Sequence, residues 1–220
     1  MNTSKKTLVK GKKTFPGRVY REQDATYLSV TSIIHPEGID FPEEQLKQYG
    51  SRGSIVHDLV EHYILHHRVG DPYKISTPVD IDNVVNGGLG LKWEDCNYVE
   101  FFQMYGESIE FKYIEQKLIN KKYGYAGRTD GIGTFDGELA IFDWKTAGNY
   151  TPQKRIDYFM QLSAYAYCIT PIPKKLVIIP LNPKSERGFD EPIVETNVQH
   201  YFELFLERLE YVKDNYLPPV

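Results

Sequence analysis

The most constraining feature of this chain is a pair of strand-forming runs, residues 123–134 and 139–146, separated by Phe135-Asp136-Gly137-Glu138. Asp-Gly between two such runs signals a two-residue hairpin, because the favoured turn needs positive φ at its central positions. Centring the turn on Asp136-Gly137 sets Phe135 opposite Glu138 and Thr134 opposite Leu139. Further out, Asp130 falls opposite Asp143. A turn of odd length would slip one strand and send one Asp to the other face.

Opposed residues of an antiparallel pair share a face, with Cβ atoms roughly 4.5–5.5 Å apart. Lys145, two residues beyond Asp143, projects from that face too. Carboxylates directly opposite one another repel, and a divalent cation between them turns the cost into attraction. Oxygen ligation suits a hard ion, Mg²⁺ or Mn²⁺, rather than zinc. Asp143 stands between Phe142 and Trp144 in a strand otherwise suited to burial, an odd place for a solvent-face Asp.

The stretch Gly127-Arg128-Thr129-Asp130-Gly131-Ile132-Gly133, followed by Ile141-Phe142-Asp143-Trp144-Lys145-Thr146, resembles the PD-(D/E)XK nuclease superfamily. Within it, the RecB-like and lambda-exonuclease-like branch is the nearest in pattern. That pattern is an Asp after a Gly-rich strand, then Asp or Glu, any residue, and Lys on the next strand. It falls on Asp130, Asp143 and Lys145. Tyr113-Ile114-Glu115 resembles the strand bearing an upstream Glu, and Gln161-Leu162-Ser163-Ala164-Tyr165 the helical Gln-x-x-x-Tyr motif. Gly53-Ser54-Ile55-Val56-His57 resembles the helix that brings a His to the metal, and Ser29-Val30-Thr31 an entry segment of the same nucleases. The resemblance runs from about Tyr27 to Ile179.

The resemblance implies an α/β fold, a central mixed β-sheet flanked by helices, with an N-terminal helical part. It implies metal ligation by Asp130, Asp143 and the backbone carbonyl of Trp144, assisted by His57 and Glu115. Lys145 becomes the catalytic cation. Gln161 would hold substrate phosphate or the lysine, and Tyr165 would stack on or contact DNA. The implied activity is Mg²⁺- or Mn²⁺-dependent hydrolysis of DNA phosphodiesters leaving a 5′-phosphate, by an exonuclease acting on ends or single strands in recombination, repair or replication. The rivals are a structure-selective or nonspecific endonuclease and a non-catalytic nucleic-acid-binding protein that kept the fold. A homo-oligomer or a recombination partner protein fits either class, and small nucleases of this kind often come from phage or prophage.

Residue patterns bear on these roles independently. Strand alternation through Phe111, Tyr113 and Glu115 lines Glu115 up with apolar residues, where a lone charge is costly without a partner. Ile55, Val56, Leu59, Val60, Tyr63 and Ile64 form an apolar helical stripe with His57 and Glu61 at its edge. The plain reading of His57 is a structural histidine; the other is a ligand oriented by Glu61. Gln161 and Tyr165 share one helix face, as simple amphipathic packing also would have it. In the assumed register Arg128 faces Lys145, where it is available to phosphate.

At 220 residues, 41% hydrophobic and 25% charged, the chain fits a single soluble globular domain. Residues 27–220 read as one nuclease domain and 1–26 as a basic N-terminal arm. Lys5, Lys6, Lys10, Lys12, Lys13, Arg18 and Arg21 all precede the first acidic residue, Glu22, although the whole chain carries a net charge of −4. The arm is either a solvated tail or a phosphate-tracking segment in which Lys12 and Lys13 bind DNA. Two cysteines, Cys96 and Cys168, are too few for a disulfide framework or a four-thiolate cluster. With no long apolar run and no secretory leader, no membrane is expected, and the chain is placed in the cytoplasm of a bacterial or phage-infected cell.

The remaining elements follow from periodicity and punctuation. A helix is expected over 43–67 with a break near Gly50, a long loop over 70–90, a helix over 91–106 and a strand over 109–119. Thr151-Pro152 starts a helix that runs to about Ile169. Residues 175–179 read as a central strand, 191–196 as a last strand and 198–216 as a closing amphipathic helix.

Overall fold

The computed structural model describes residues 12–38, 43–66 and 96–217, with side chains throughout except at 43–52 and 66. In chain order the elements are β1 (Lys13–Thr14), β2 (Val19–Glu22), β3 (Ala25–Ser29), α1 (Val30–Ile34), α2 (Glu43–His66) and α3 (Tyr98–Tyr105). They continue with β4 (Ile109–Asn120), β5 (Tyr125–Phe135), β6 (Glu138–Lys145), α4 (Pro152–Ala166), β7 (Lys175–Pro180), β8 (Ile193–Glu195), α5 (Val198–Asn215) and β9 (Tyr216–Leu217).

The Asp136-Gly137 turn forms as its chemistry dictates, with φ of 50° and 75°. It sets Phe135 against Glu138 and Thr134 against Leu139, and the ladder continues as far as Gly131 against Phe142. It stops one pair short of Asp130 and Asp143. The hairpin lies inside a mixed sheet in the order β2-β3-β5-β6-β7-β8, with β4 also paired to β5. Because β4 follows β5 from Tyr125 to Phe135 along one edge, β3 and β6 must share the other. β3 pairs there at Tyr125 and Ala126, and β6 from Gly131 onward. Residues 127–130 pair with neither, so the sheet is split at this point.

Helices cover both faces. Ile141, Leu176 and Ile178 pack with Val30 and Ile33 of α1, Leu162 of α4 and Phe205 of α5. Phe142, Trp144, Val177 and Ile179 pack with Val56 and Val60 of α2 and Phe101 of α3. Alternate residues of β6 and β7 serve opposite cores, which is why these interior strands read as almost continuous apolar runs. Thr151 caps α4 by accepting from the Lys154 N–H, and Asn197 does the same for α5 with His200. No helix among the described residues is long and apolar enough to cross a membrane.

Some expectations are corrected, and others fall outside the described residues. α2 runs through Gly50 without a break. The loop expected over 70–90 and the start of the helix expected at 91 lie outside the described residues; α3 begins at Tyr98, capped by Asn97. The basic lead-in is not all arm. Residues 1–11 lie outside the described residues, but β2 folds against β3 through Gln23-Asp24, with Gln23 at φ 52°. β1 pairs in parallel with β9, Phe15 is buried, and its ring meets Tyr216 edge-on at 5.9 Å.

Gly133 allows a close approach of β4 to β5: a Cβ there would lie 1.8 Å from the Glu110 carbonyl oxygen. Gly133→Ala must push the backbones apart and should cost roughly 1–3 kcal/mol. The expected readout is a lower denaturation midpoint at unchanged m-value.

Candidate metal centre

The site grows from the split in the sheet. On the β4 side the pairing runs from Ile114–Gly131 to Gln116–Thr129 and omits the pair between them, Glu115 and Asp130. Glu115 is held at φ 51°, a left-handed conformation that costs a non-glycine residue of order 1–3 kcal/mol unless its surroundings compel it. β5 rolls over here as well. Tyr125 and Ile132 are an odd number of residues apart, yet both pack into the α4–α5 core. These two irregularities turn Glu115 and Asp130 toward a common point.

Helix α2 brings His57 to the same point. Its Nδ1 lies 3.5 Å from Asp130 Oδ1 and 3.8 Å from Glu115 Oε1. One ligand atom from each of the three residues fits within 4.8 Å of the others. The second Asp130 oxygen, Oδ2, accepts the backbone N–H of Trp144 at 2.9 Å. A side chain thereby replaces the missing ladder bond across the split. Thr129 adds a second such stitch, donating its hydroxyl to the Phe142 carbonyl at 3.3 Å.

Asp143 belongs to a second group. Lys145 Nζ sits 2.6 Å from its Oδ2 and donates to its Oδ1 at 2.8 Å, and Gln161 Nε2 donates to Oδ1 at 3.2 Å. The ammonium also stands 4.9 Å from the centre of the Tyr158 ring. The hydroxyl of Tyr150 holds the Lys145 carbonyl at 2.8 Å, and Arg155 in turn donates to the Tyr150 carbonyl.

Negative charge is in surplus at this junction. Burial, then the neighbouring Asp143 carboxylate, push the Asp130 carboxyl up to about 8, against the pull of His57 and Lys145. Burial disfavours the charged imidazolium of His57, but Asp130 and Glu115 outweigh it and hold His57 above its ordinary value. Lys145 is likewise raised, burial being outweighed by Asp143 and Asp130. Glu115 Oε1 is buried without any hydrogen-bond donor, a costly state for a carboxylate oxygen. An orphaned oxygen, a crowded pair of carboxylates and an imidazole form a donor set that a cation completes. The His57–Glu115–Asp130 triad is positioned to bind a metal.

The positions of the other expected residues differ in part. Asp143 lies near Asp130 electrostatically, but its direct partners are Lys145 and Gln161. The backbone of Trp144 enters through its N–H. Gln161 holds Asp143 rather than Lys145. Arg128 does not face Lys145, because the β5–β6 ladder has already ended; it stands opposite Lys117, 62% exposed, with Nη1 3.6 Å from Glu115 Oε2. Tyr165 is only 2% exposed and cannot stack on a base from there. Its ring occupies the space where a Cβ at Gly127 would be, 2.4 Å from its nearest carbon. Lys12 and Lys13 are not on a free arm: Lys13 is in β1, and Lys12 Nζ donates to the Lys213 carbonyl. Glu115 arrives by an unexpected route. Lys112 is an extra residue in a β-bulge, so Phe111 points into the core and Tyr113, 48% exposed, points out.

Sequence reasoning missed Tyr150 and Tyr158. The signal for Tyr158 was present, since Tyr158, Gln161 and Tyr165 recur at spacings of three and four on α4.

The fold is shared with one of the solved structures it resembles, at low identity. A candidate exonuclease from Eubacterium rectale matches with a TM-score of 0.51 at 12% identity, covering 87% of this chain and 82% of that one. An alkaline exonuclease from Laribacter hongkongensis gives 0.36 at 9% identity, covering 86% and 92%. No family model matches the chain, and no curated protein sequence does.

A carboxyl raised by burial stabilises the fold fully below its unfolded value of 3.8 and loses that contribution as pH rises through about 8. His57, also raised, has the same sign: its contribution is fully present below its ordinary value of 6.5 and is lost as pH rises through its higher folded value. Metal-free protein should therefore melt at a lower temperature at pH 9 than at pH 6. Asp130→Asn should flatten that slope in thermal melts run with chelator. A wild-type melting temperature that rises with pH over this range would contradict the surplus of charge.

Proposed function

We propose that this protein is a divalent-metal-dependent deoxyribonuclease of the PD-(D/E)XK type, in its RecB-like and lambda-exonuclease-like branch. One juxtaposition carries the proposal. A His57–Glu115–Asp130 triad, in which a buried Glu115 oxygen accepts no hydrogen bond, lies beside an Asp143–Lys145 ion pair. The fold shared with the Eubacterium rectale candidate exonuclease is consistent with it.

In this reading His57, Glu115 and Asp130 hold Mg²⁺ or Mn²⁺, with Asp143 next to them. When bound, the ion supplies Lewis-acid stabilisation of the attacked phosphate and lowers the pKa of water. The protein supplies the rest. Lys145, kept protonated by Asp143 and Asp130, offers its ammonium to the charge that develops on the phosphate. Gln161 and Lys145 together fix the Asp143 carboxylate. Arg128, largely exposed beside Glu115, offers a guanidinium to a backbone phosphate at the rim. The substrate is DNA, attacked from an end, in the cytoplasm of a bacterial or phage-infected cell.

Digestion of linear and circular DNA with Mg²⁺, Mn²⁺ or EDTA tests this directly. Linear DNA should disappear with either ion, remain intact in EDTA, and circular DNA should survive. Asp130→Asn, Asp143→Asn and Lys145→Ala should each lower turnover by roughly a hundredfold or more while the fold persists. Full activity in EDTA removes the metal from the mechanism. Wild-type turnover in any of the three variants refutes the assigned roles, and equal loss of circular DNA makes the enzyme an endonuclease.

The basic arm is tested by removing residues 1–11 only, since Lys13 and Thr14 belong to β1. Loss of Lys5, Lys6 and Lys10 should reduce the log–log salt slope of DNA binding by about 0.7–0.9 for each phosphate contact removed. An unchanged slope assigns these lysines to a solvated tail.

A further inference from the structure

Lys145 presents a physical problem that its hydrogen bonds do not solve. Its stem has four rotatable carbons and its ammonium is a compact charge with three donors. Asp143 approaches that ammonium with both oxygens, at 2.6 and 2.8 Å. A carboxylate so close fixes the amine, but it also draws the ammonium toward itself and away from a substrate. A partner on another side, attractive to a cation and unable to accept its protons as strongly as a carboxylate does, would hold the ammonium without consuming it. An aromatic face has these properties.

The Tyr158 ring provides that face, with Lys145 Nζ 4.9 Å from its centre. Tyr158 is itself fixed. It lies on α4, one turn before Gln161, which binds the same Asp143. Its ring meets Tyr150 edge-to-face at 6.3 Å. Tyr150 also holds the Lys145 backbone carbonyl, through its hydroxyl. The two tyrosines thus grip both ends of one residue, the carbonyl and the ammonium. Lys145 keeps a side-chain exposure of 20%.

We propose that Tyr158 is a positioning residue of the active site, whose π face fixes the Lys145 ammonium for the reacting phosphate. This rests on the nuclease reading above. It predicts a ring effect, not a hydroxyl effect. Tyr158→Leu, assayed in the full chain with Mg²⁺ and linear DNA, should lower kcat by roughly three- to thirtyfold with KM little changed. Tyr158→Phe should restore most of the loss. Phenylalanines carrying progressively more ring fluorines at position 158 keep the shape while weakening the face, so kcat should fall stepwise along that series. A flat fluorine series, equal losses in the Leu and Phe variants, or wild-type kcat in Tyr158→Leu would each overturn the proposal.

A second measurement separates its failure from that of the nuclease reading. The ε-methylene protons of Lys145 should be shifted upfield by the Tyr158 ring current in wild type and Tyr158→Phe, and return to ordinary values in Tyr158→Leu. This readout needs no cleavage. Wild-type protein that cuts no DNA yet shows the shift refutes the nuclease reading and retains the contact; a wild type that cuts DNA without the shift refutes the contact alone.

Discussion

Everything at the site depends on one substitution of hydrogen bonds: the Trp144 N–H, which a continuous hairpin would give to a backbone carbonyl of β5, goes to the carboxylate of Asp130. A ladder zipped through this point would commit residues 127–130 to strand pairing. The split leaves them free to turn, and the side chains of Asp130 and Thr129 close the gap. The fully buried Trp144 anchors β6 on the far side, so the opening stays local. The left-handed Glu115 and the roll of β5 lie at the same level of the sheet. A strand pair that loses its register for one step can turn residues away from the faces that a regular pleat would assign them.

The charges then sort into two compartments. One is short of positive charge: Asp130 and Glu115 share one imidazole, only the largely exposed Arg128 guanidinium adds to it beside Glu115, and Glu115 Oε1 accepts no hydrogen bond. The other carries its own cation: Asp143 is held by Lys145 and Gln161, and the lysine by a ring as well. A site uniformly short of cations would repel its own substrate, and one uniformly neutralised would bind no metal. Burial, then the Asp143 carboxylate, push Asp130 toward neutrality, while Asp143 and Asp130 outweigh burial and keep Lys145 protonated.

Much of this was legible in the sequence because the hairpin is local. Asp136-Gly137 fixes a register by counting, and the register is correct as far as Gly131 and Phe142. The core of the sheet, the α4 cap at Thr151 and the strand at 175–179 are equally local and came out as expected. What counting could not supply were departures from regularity. The bulge at Lys112 moved Tyr113 to the surface, and the end of the ladder removed Arg128 from Lys145. Tyr165 fitted an exposed role by motif, but Gly127 offers a space that its ring fills. The β1–β9 pair joins segments about 200 residues apart, beyond any local signal.

The triad draws its ligands from two layers, the imidazole from α2 and the carboxylates from the sheet. A cation held among them is therefore a cross-link between layers. Docking of α2 and retention of the ion become a single linked equilibrium, in which each strengthens the other by the same factor. Metal affinity in such an arrangement is a property of the helix's seat as much as of its ligands, and amide exchange along α2 would record it.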